Sequence, residues 1–185
     1  MLYNHSITTN NQKVLRFLAK FSDKEFFERE VSRQLGISSG SANRALNELH
    51  SSEAALRRRE GKMYFYFVNP SNTTLSEFKK IMNLSLIEPL LEILKKLSNR
   101  VILYGSCAEG TDTSDSDIDL FIVSMKKKEV VNIISDFKFP KGYENITIQS
   151  IVKTPVELLE ASKSENAFLQ EVESGLILWE KSANE

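Results

Sequence analysis

The chain has 185 residues, of which 41% are hydrophobic and 26% are charged. This balance is typical of a protein that buries a core, and it excludes disordered, collagen-like and disulfide-framework chains. The length suits one ordinary domain or two small ones. With 24 Lys and Arg against 25 Asp and Glu, the formal net charge is −1, a value that taken alone argues against nucleic-acid binding.

The charge is distributed unevenly along the chain. Residues 1–70 carry 11 basic and 7 acidic side chains, a balance of +4, whereas residues 71–185 carry 13 basic and 18 acidic side chains, a balance of −5. Such asymmetry indicates two parts with different partners. Because Asn69–Thr74 is rich in turn-forming residues, we predict one domain at 1–70 and a second at 71–185.

Composition also bears on the compartment. The single cysteine, Cys107, excludes an internal disulfide and favours a reducing environment. The N-terminus shows no signal-peptide pattern. The most apolar stretch, residues 84–94, contains two acids and a proline and is too short and too polar to span a bilayer. We therefore expect a cytoplasmic protein with no membrane partner.

The first 50 residues contain three helical patterns of apolar spacing. They predict helices over residues 10–21, over Glu28–Leu35 and from Ser38 or Ser39 to about His50. Gly36 suits the left-handed end of the second helix, and a serine caps the third. Two short helices joined by Gly-Ile-Ser have the spacing of a helix-turn-helix.

The outward face of the third helix and the segment after it carry the candidate DNA contacts. Residues 56–68 indicate two strands around a turn at Glu60–Gly61, and the three arginines and one lysine beside that turn make a basic wing. Hydrogen-bonding side chains on the helix suit base edges and phosphates. The predicted DNA-binding residues are Ser39, Ser41, Asn43, Arg44 and Asn47 on the helix, and Arg57, Arg58, Arg59 and Lys62 on the wing.

Residues 8–70 resemble the winged helix-turn-helix family of prokaryotic transcription regulators. The resemblance implies that the third helix enters the major groove, that the wing touches the DNA backbone, and that the chain forms a homodimer. The alternative is that this segment is a dimerisation or protein-docking module.

Beyond the domain boundary, apolar residues at helical spacing predict one helix around residues 75–82 and a continuation as a helix over 86–97. Pro89 is tolerated only in the first turn of that second helix. We interpret Lys126–Lys128 as a solvated turn, Cys107 as a small filler and Trp179 as a core residue.

The most informative stretch is residues 101–123. An apolar run ends in Gly105-Ser106, and ten residues later Asp117-Ile118-Asp119 opens a second apolar run. Gly105 lacks a Cβ, so a polyphosphate can approach the backbone, and Ser106 adds a hydroxyl near a helix start. Because side chains alternate along a strand, Asp117 and Asp119 share one face, where two carboxylates can hold Mg²⁺.

This pattern, Gly-Ser, ten residues and Asp-x-Asp between apolar runs, resembles the DNA polymerase β-type nucleotidyltransferase superfamily in its minimal branch. The resemblance covers about residues 84–180, including a helix over 165–174 and a last strand over 176–179. It implies an α+β protein whose C-terminal domain is a mixed sheet flanked by helices. The implied reaction is transfer of a nucleoside monophosphate from a nucleoside triphosphate to a hydroxyl.

The resemblance also implies roles for individual residues. Gly105 and Ser106 would bind the β and γ phosphates of the nucleotide. Asp117 and Asp119 would be the catalytic residues and would hold as many as two Mg²⁺ ions.

Two departures from the family pattern bear on activity. The family usually adds a third carboxylate on a later strand, but the corresponding strand, residues 146–152, contains no acid. Gln149 stands there, and it can coordinate a metal weakly but cannot act as a base near neutral pH. Glu144, before the strand, is a candidate substitute. In addition, Glu109 occupies a position where many minimal members carry an arginine.

These departures leave three functional hypotheses. The chain is an Mg²⁺-dependent nucleotidyltransferase with a DNA-binding regulatory domain and a protein, nucleic-acid or small-molecule acceptor. Alternatively, it is a transcription regulator whose degenerate transferase domain only senses a nucleotide. The third hypothesis is an antitoxin-like partner of a small helical toxin.

Overall fold

The computed structural model describes residues 9–140, 142–160 and 166–182. It divides into two compact units, and each is a mixture of helices and strands. The first ends at Lys79 and includes Asp112–Ser114; the second comprises Lys80–Thr111 and the chain from Asp115 onward. The N-terminal eight residues, in which the sequence shows no signal-peptide pattern, lie outside the described residues. Glu165, the first residue of the predicted helix over 165–174, also lies outside them.

The first unit consists of three helices and a three-stranded antiparallel sheet. Its elements are α1 (Asn10–Lys20), β1 (Phe26–Phe27), α2 (Glu28–Leu35), α3 (Ser39–Ser51), β2 (Ala55–Glu60) and β3 (Met63–Val68). The strands are ordered β1-β3-β2. The three helices and the β2–β3 hairpin lie where the sequence pattern predicted them.

The helix ends of this unit follow from local hydrogen bonding. At the start of α1, Thr9 and Gln12 form a reciprocal capping box. Gly36 ends α2 in the left-handed conformation, with φ of +62°, and the Ser38 side chain accepts a hydrogen bond from the Ser41 N–H at the start of α3. The predicted glycine and serine caps are therefore confirmed.

Small residues on α3 let the other helices approach it closely. Ala42 and Ala45 are buried together with Leu46, as are Val14 of α1 and Val31 of α2, and α3 contacts both of those helices. The short strand β1 was not predicted. It forms because Phe26 and Phe27 pair with β3, while the Phe26 ring packs against Phe17 at a centroid distance of 4.6 Å.

The second unit is built around a four-stranded mixed sheet ordered β6-β5-β4-β7. The pairs β4–β5 and β4–β7 are antiparallel, and β5–β6 is parallel. Its elements are β4 (Arg100–Tyr104), α5 (Gly105–Glu109), β5 (Ile118–Val123), α6 (Lys127–Asp136), β6 (Ile148–Lys153), α7 (Pro155–Leu159), α8 (Asn166–Glu173) and β7 (Leu176–Glu180).

Strand β5 is buried on both faces of this sheet. Ile118 and Leu120 belong to a core that includes α6 and residues 86–94. Phe121 belongs to the opposite core, which includes Phe168 and Val172 of α8. Since side chains alternate along a strand, Asp119 belongs to the second face, on the side of α8.

The connecting helix α4 spans Thr73–Leu94 without a break, with Pro89 inside it. The prediction of two helices, the second with Pro89 in its first turn, was therefore wrong. An internal proline removes a backbone hydrogen bond and costs about 3 kcal/mol. Burial of Leu86, Ile87 and Leu90 around the proline offsets this cost. Within the described part of the chain, no helix is both long and apolar enough to cross a membrane.

The interpretation of Lys126–Lys128 as a turn also needs correction. Lys126 is the N-cap residue and α6 begins at Lys127. The helix forms because Val130 and Ile134, four residues apart, are buried on one of its faces. Trp179 is partly buried and packs against the larger core, and its indole N–H donates to the Ser98 carbonyl at 3.2 Å.

The turn between α8 and β7 makes a specific prediction. A Cβ at Gly175 would lie 2.4 Å from the Leu103 carbonyl oxygen and 3.0 Å from the Tyr104 Cβ. We therefore expect Gly175→Ala to lower the free energy of unfolding by about 1–3 kcal/mol, the usual cost of overpacking. Urea denaturation followed by fluorescence of Trp179, the single tryptophan, measures this change.

The control is Gly40→Ala, because a Cβ at Gly40 has no neighbour within 4 Å. Alanine is the better helix former, so this variant should keep or slightly raise stability. Equal stability of the wild type and Gly175→Ala would contradict the close packing of this turn.

Candidate functional site

The sheet register brings the predicted site residues into one row. Asp119 on β5 lies opposite Tyr104 on β4 and opposite Gln149 on β6. Gly105 follows Tyr104 directly, and Asp117 immediately precedes β5. Residues far apart in sequence therefore meet at one end of the neighbouring strands β4, β5 and β6.

Gly105 is packed against the carboxylate of Asp119. Its φ of +68° is in the left-handed region, and a Cβ there would lie 2.7 Å from Asp119 Oδ2. A side chain would therefore be strained by the backbone and would collide with the carboxylate. From the sequence, we expect a glycine here because it lets a phosphate approach the backbone. The structure adds a second reason, which is that the Asp119 carboxylate occupies the place of a side chain.

The short helix α5 ties the glycine-serine turn to Asp117. Ser106 is its second residue, and Gly110 ends it with a φ of +74°. Cys107 is buried in the core, as its interpretation as a filler requires. Its thiol also donates to the backbone carbonyl of Asp117 at 3.2 Å, which holds the start of β5 beside α5.

Both carboxylate oxygens of Asp117 accept hydrogen bonds from the β6 side of the sheet. The Thr147 hydroxyl donates to Oδ1, and the Gln149 amide Nε2 donates to Oδ2 at 2.5 Å. These two bonds, that of Thr147 first, lower the pKa of Asp117 because they favour its charged form. Asp117 is therefore held ionised and in one orientation.

Asp119 is in the opposite electrostatic environment. Partial burial raises its pKa, and the negative charges of Asp117 and Glu171 raise it further. Burial likewise raises the pKa of Tyr104, with smaller contributions from the same Asp119 and Glu171 charges. Neighbouring carboxylates with pKa values shifted in opposite directions are typical of functional sites.

Glu171 on α8 is an acidic neighbour that sequence reasoning missed. Glu171 immediately precedes Val172, which is fully buried. The burial of this turn of α8 brings the Glu171 carboxylate near enough for its charge to act on Asp119. The helix itself was predicted, but no spacing in the sequence connects residue 171 with residue 119. Only the packing of α8 on the sheet does so.

Strand β6 is the later strand on which the family usually has a third carboxylate, and it contains an amide instead. Gln149 lies on β6 and directly opposite Asp119. Glu144 precedes β6, and its carboxylate accepts a hydrogen bond from the Gly142 N–H at 2.8 Å. Glu109 is exposed at the end of α5. Of the two departures from the family pattern, the amide at residue 149 therefore lies beside the acidic pair.

The donor set fits a single hard divalent cation. Carboxylate oxygens are the ligands that Mg²⁺ prefers, and it is commonly bound by one or two of them together with substrate phosphates. The neighbouring charges that act on Asp119 are both negative, so a cation would neutralise a repulsive cluster. Among the described residues, no group of three or more His, Cys, Asp or Glu side chains could hold a metal.

The predicted DNA-binding residues of the first unit form a polar network on α3. Asn47 donates to the Asn43 side-chain oxygen at 2.8 Å, and Asn43 donates to Glu28 at 2.7 Å. Arg57 of β2 donates to Asn47 at 3.0 Å. Ser39 and Arg44 are exposed, whereas Ser41 is partly buried.

Strand alternation separates the three arginines of β2. Arg57 lies on the α3 side, where its guanidinium stacks over Tyr64 at 4.5 Å. Arg58, on the opposite face, forms ion pairs with Glu25 and Glu60. Arg59 and Lys62 are exposed at the hairpin end. The charge of Arg58 is therefore already balanced within the first unit.

A comparison with protein families identifies the class of the chain. The model of the polymerase β nucleotidyltransferase family matches residues 88–184, more than half of the chain. The chain therefore belongs to this family, and the sequence resemblance to it is confirmed. No curated protein matches the sequence significantly.

A solved structure from Sulfolobus solfataricus, described provisionally as a nucleotidyltransferase, is similar to part of the chain. The two sequences are 19% identical, and the match covers 60% of this chain and 93% of the other, with a TM-score of 0.39.

The contact between Gly105 and Asp119 leads to a prediction for the site. Gly105→Ala should displace the Asp119 carboxylate and destabilise the second unit by about 1–3 kcal/mol. It should also weaken Mn²⁺ binding in the presence of a non-hydrolysable nucleoside triphosphate. Urea denaturation and titration calorimetry measure the two effects.

Gly142→Ala is the matched control, since Gly142 has a φ of +91° but a Cβ added there would have no neighbour within 4 Å. This variant should lose stability through backbone strain alone and keep cation binding. If both variants bound Mn²⁺ as the wild type does, the role of the close approach would be refuted.

Proposed function

We propose that the chain is a divalent-cation-dependent nucleotidyltransferase that transfers a nucleoside monophosphate from a nucleoside triphosphate to a hydroxyl acceptor. The observation that carries this proposal is the juxtaposition of Asp117 and Asp119 with the Gly105-Ser106 turn. Membership of the nucleotidyltransferase family supports the same reaction.

The reaction requires positioning and charge neutralisation more than covalent chemistry. The acceptor oxygen forms a bond to the α-phosphorus, the bond from that phosphorus to the bridging oxygen breaks, and pyrophosphate leaves with the electron pair. The hydroxyl proton passes to solvent or to the leaving pyrophosphate, and Gln149, which has no basic group, does not take it.

Each site residue has a distinct part in this proposal. Gly105 and Ser106 bind the β and γ phosphates, and Asp117 and Asp119 hold the divalent cation. The cation supplies Lewis-acid stabilisation of the charge on the phosphate oxygens. Thr147 and Gln149 keep Asp117 ionised and oriented through the hydrogen bonds described above.

Label transfer tests the reaction. The purified chain is incubated with each α-phosphate-labelled nucleoside triphosphate, Mg²⁺ and a cell lysate from the source organism. We expect one class of macromolecule or small molecule to become labelled. Replacing both Asp117 and Asp119 by Asn should reduce labelling by more than about a hundredfold, because removal of one electrostatic stabiliser commonly costs about 10²–10³ in rate.

Asp136→Asn is the matched control, because Asp136 is exposed at the end of α6 and should leave labelling unchanged. Label transfer that persists in the double variant would refute the assignment of the two acids.

A second candidate, a nucleotide sensor without transfer activity, is favoured by one observation. Gln149 on β6 cannot act as a base, and it is opposite Asp119. The sensor hypothesis predicts saturable nucleotide binding by the wild type with no labelled product.

Labelling of a small helical protein would instead connect the site to the antitoxin-like hypothesis.

For the first unit we propose DNA binding through a winged helix-turn-helix. The exposed polar face of α3 and the basic β2–β3 hairpin support this proposal. In it, Ser39, Ser41, Asn43, Arg44 and Asn47 contact the major groove, and Arg57, Arg59 and Lys62 contact the phosphate backbone. Arg58 has the smallest part, since two carboxylates already pair with it.

Salt-dependent binding to DNA from upstream of its own gene distinguishes these arginines. Arg59→Ala should reduce the slope of log affinity against log salt by about 1, as expected when a phosphate contact is lost, whereas Arg44→Ala, at a proposed base contact, should lower affinity mainly for the preferred sequence. Arg58→Ala should change the slope much less. Fluorescence anisotropy at several salt concentrations measures all three slopes.

If Arg58→Ala had the largest effect, the proposed division between the two faces of β2 would be wrong. Binding that is independent of salt, and unaffected by any of these variants, would favour the dimerisation or docking alternative for this unit.

A further inference from the structure

Gln149 presents hydrogen-bond donors, not acceptors, to the acidic pair. Its amide has one oxygen and one nitrogen, and the carboxylate of Asp117 can only accept. The contact at 2.5 Å from Asp117 Oδ2 is therefore made by the amide Nε2. The register places Gln149 directly opposite Asp119 on the neighbouring strand.

This arrangement limits the oxygens that are available to cations. An ionised carboxylate has about four lone-pair positions, and two on Asp117 are taken by Thr147 and Gln149. The remaining positions, with those of Asp119, suffice for one ion bound jointly with substrate phosphates. A second ion would require a further oxygen ligand at the place where the amide N–H group lies.

The charge of the two ligand carboxylates is compatible with that count. Asp117 and Asp119 contribute two negative charges as ligands, while Glu171 acts on Asp119 from α8. The hydrogen bonds from β6 already stabilise the charge of Asp117 without any ion. A third carboxylate at residue 149 would remove one of those bonds and add the negative charge that a second ion needs.

We propose that Gln149 is a positioning residue that limits this site to a single divalent cation while it holds Asp117 in place. The proposal rests on the proposed function, in which Asp117 and Asp119 bind the cation that accompanies the nucleoside triphosphate. It adds the stoichiometry of that cation and identifies the residue that sets it.

The test counts Mn²⁺ ions bound to the full-length chain in the presence of a non-hydrolysable nucleoside triphosphate, by electron paramagnetic resonance. The wild type should bind one ion per chain and Gln149→Glu should bind two. Without divalent ions, Gln149→Glu should melt at a lower temperature than the wild type, because three carboxylates then lie together. Mn²⁺ should raise its melting temperature by more than it raises that of the wild type.

Gln170→Glu is the matched control, because it makes the same substitution at an exposed position on α8 and should still bind one ion. A second variant, Gln149→Leu, removes the donor without adding charge. It should bind one ion with an affinity about 10- to 100-fold weaker, the usual effect of losing a group that orients a metal ligand.

The outcomes separate the two proposals. Two ions on the wild type, one ion on folded Gln149→Glu, or unchanged affinity in Gln149→Leu would each overturn the role of Gln149. Failure of the wild type to bind the nucleotide analogue or Mn²⁺ would overturn the proposed function, whatever Gln149 does.

Discussion

The candidate site depends on the close approach of a glycine to a carboxylate. Asp119 is partly buried on β5 because a backbone without a side chain, at Gly105, lies against it. The antiparallel pairing of β4 with β5 makes this contact, since it sets Tyr104 opposite Asp119. The end of β4, the start of α5 and the acidic end of β5 are therefore positioned together, and the rest of the site is arranged around them.

The two carboxylates have different environments because they have different neighbours. Strand β6 and the residue before it provide Gln149 and Thr147, which donate to Asp117 and lower its pKa. Burial and the charges of Asp117 and Glu171 raise the pKa of Asp119. One acid is thus stabilised by hydrogen bonds, whereas the charge on the other is left for a cation or a proton to compensate. This difference between the two carboxylates suits a site that binds a cation together with the nucleotide.

The near-neutral net charge of the chain results from cancellation between its two parts. The basic part includes the β2–β3 hairpin, where strand alternation places Arg57 and Arg59 on one face of β2 and Arg58 on the other. Arg57 is joined to α3 through Asn47, whereas Arg58 is paired with two acids. The number of basic residues in a segment therefore overstates the charge available to a nucleic acid.

Much of the fold could be predicted because it depends on local chemistry. Apolar spacing and capping residues predict helices α1 to α3, including their ends at Gly36 and Ser38. Local sequence patterns also predict the β2–β3 hairpin and the strands around Gly105 and Asp119. The single helix through Pro89 and the helix at Lys127 could not be predicted, because burial of distant apolar residues overrides the local signal. The predicted DNA contacts and catalytic roles stay predictions.

The sequence by itself determined the family and the four residues of its motif, Gly105, Ser106, Asp117 and Asp119, because their spacing along the chain is the signal. Only the tertiary structure decided how those acids are surrounded. The parallel pairing of β5 with β6 places Gln149 beside them, and the packing of α8 on the sheet adds the charge of Glu171. Such neighbours are chosen by strand register and helix packing, which join residues that no sequence interval connects.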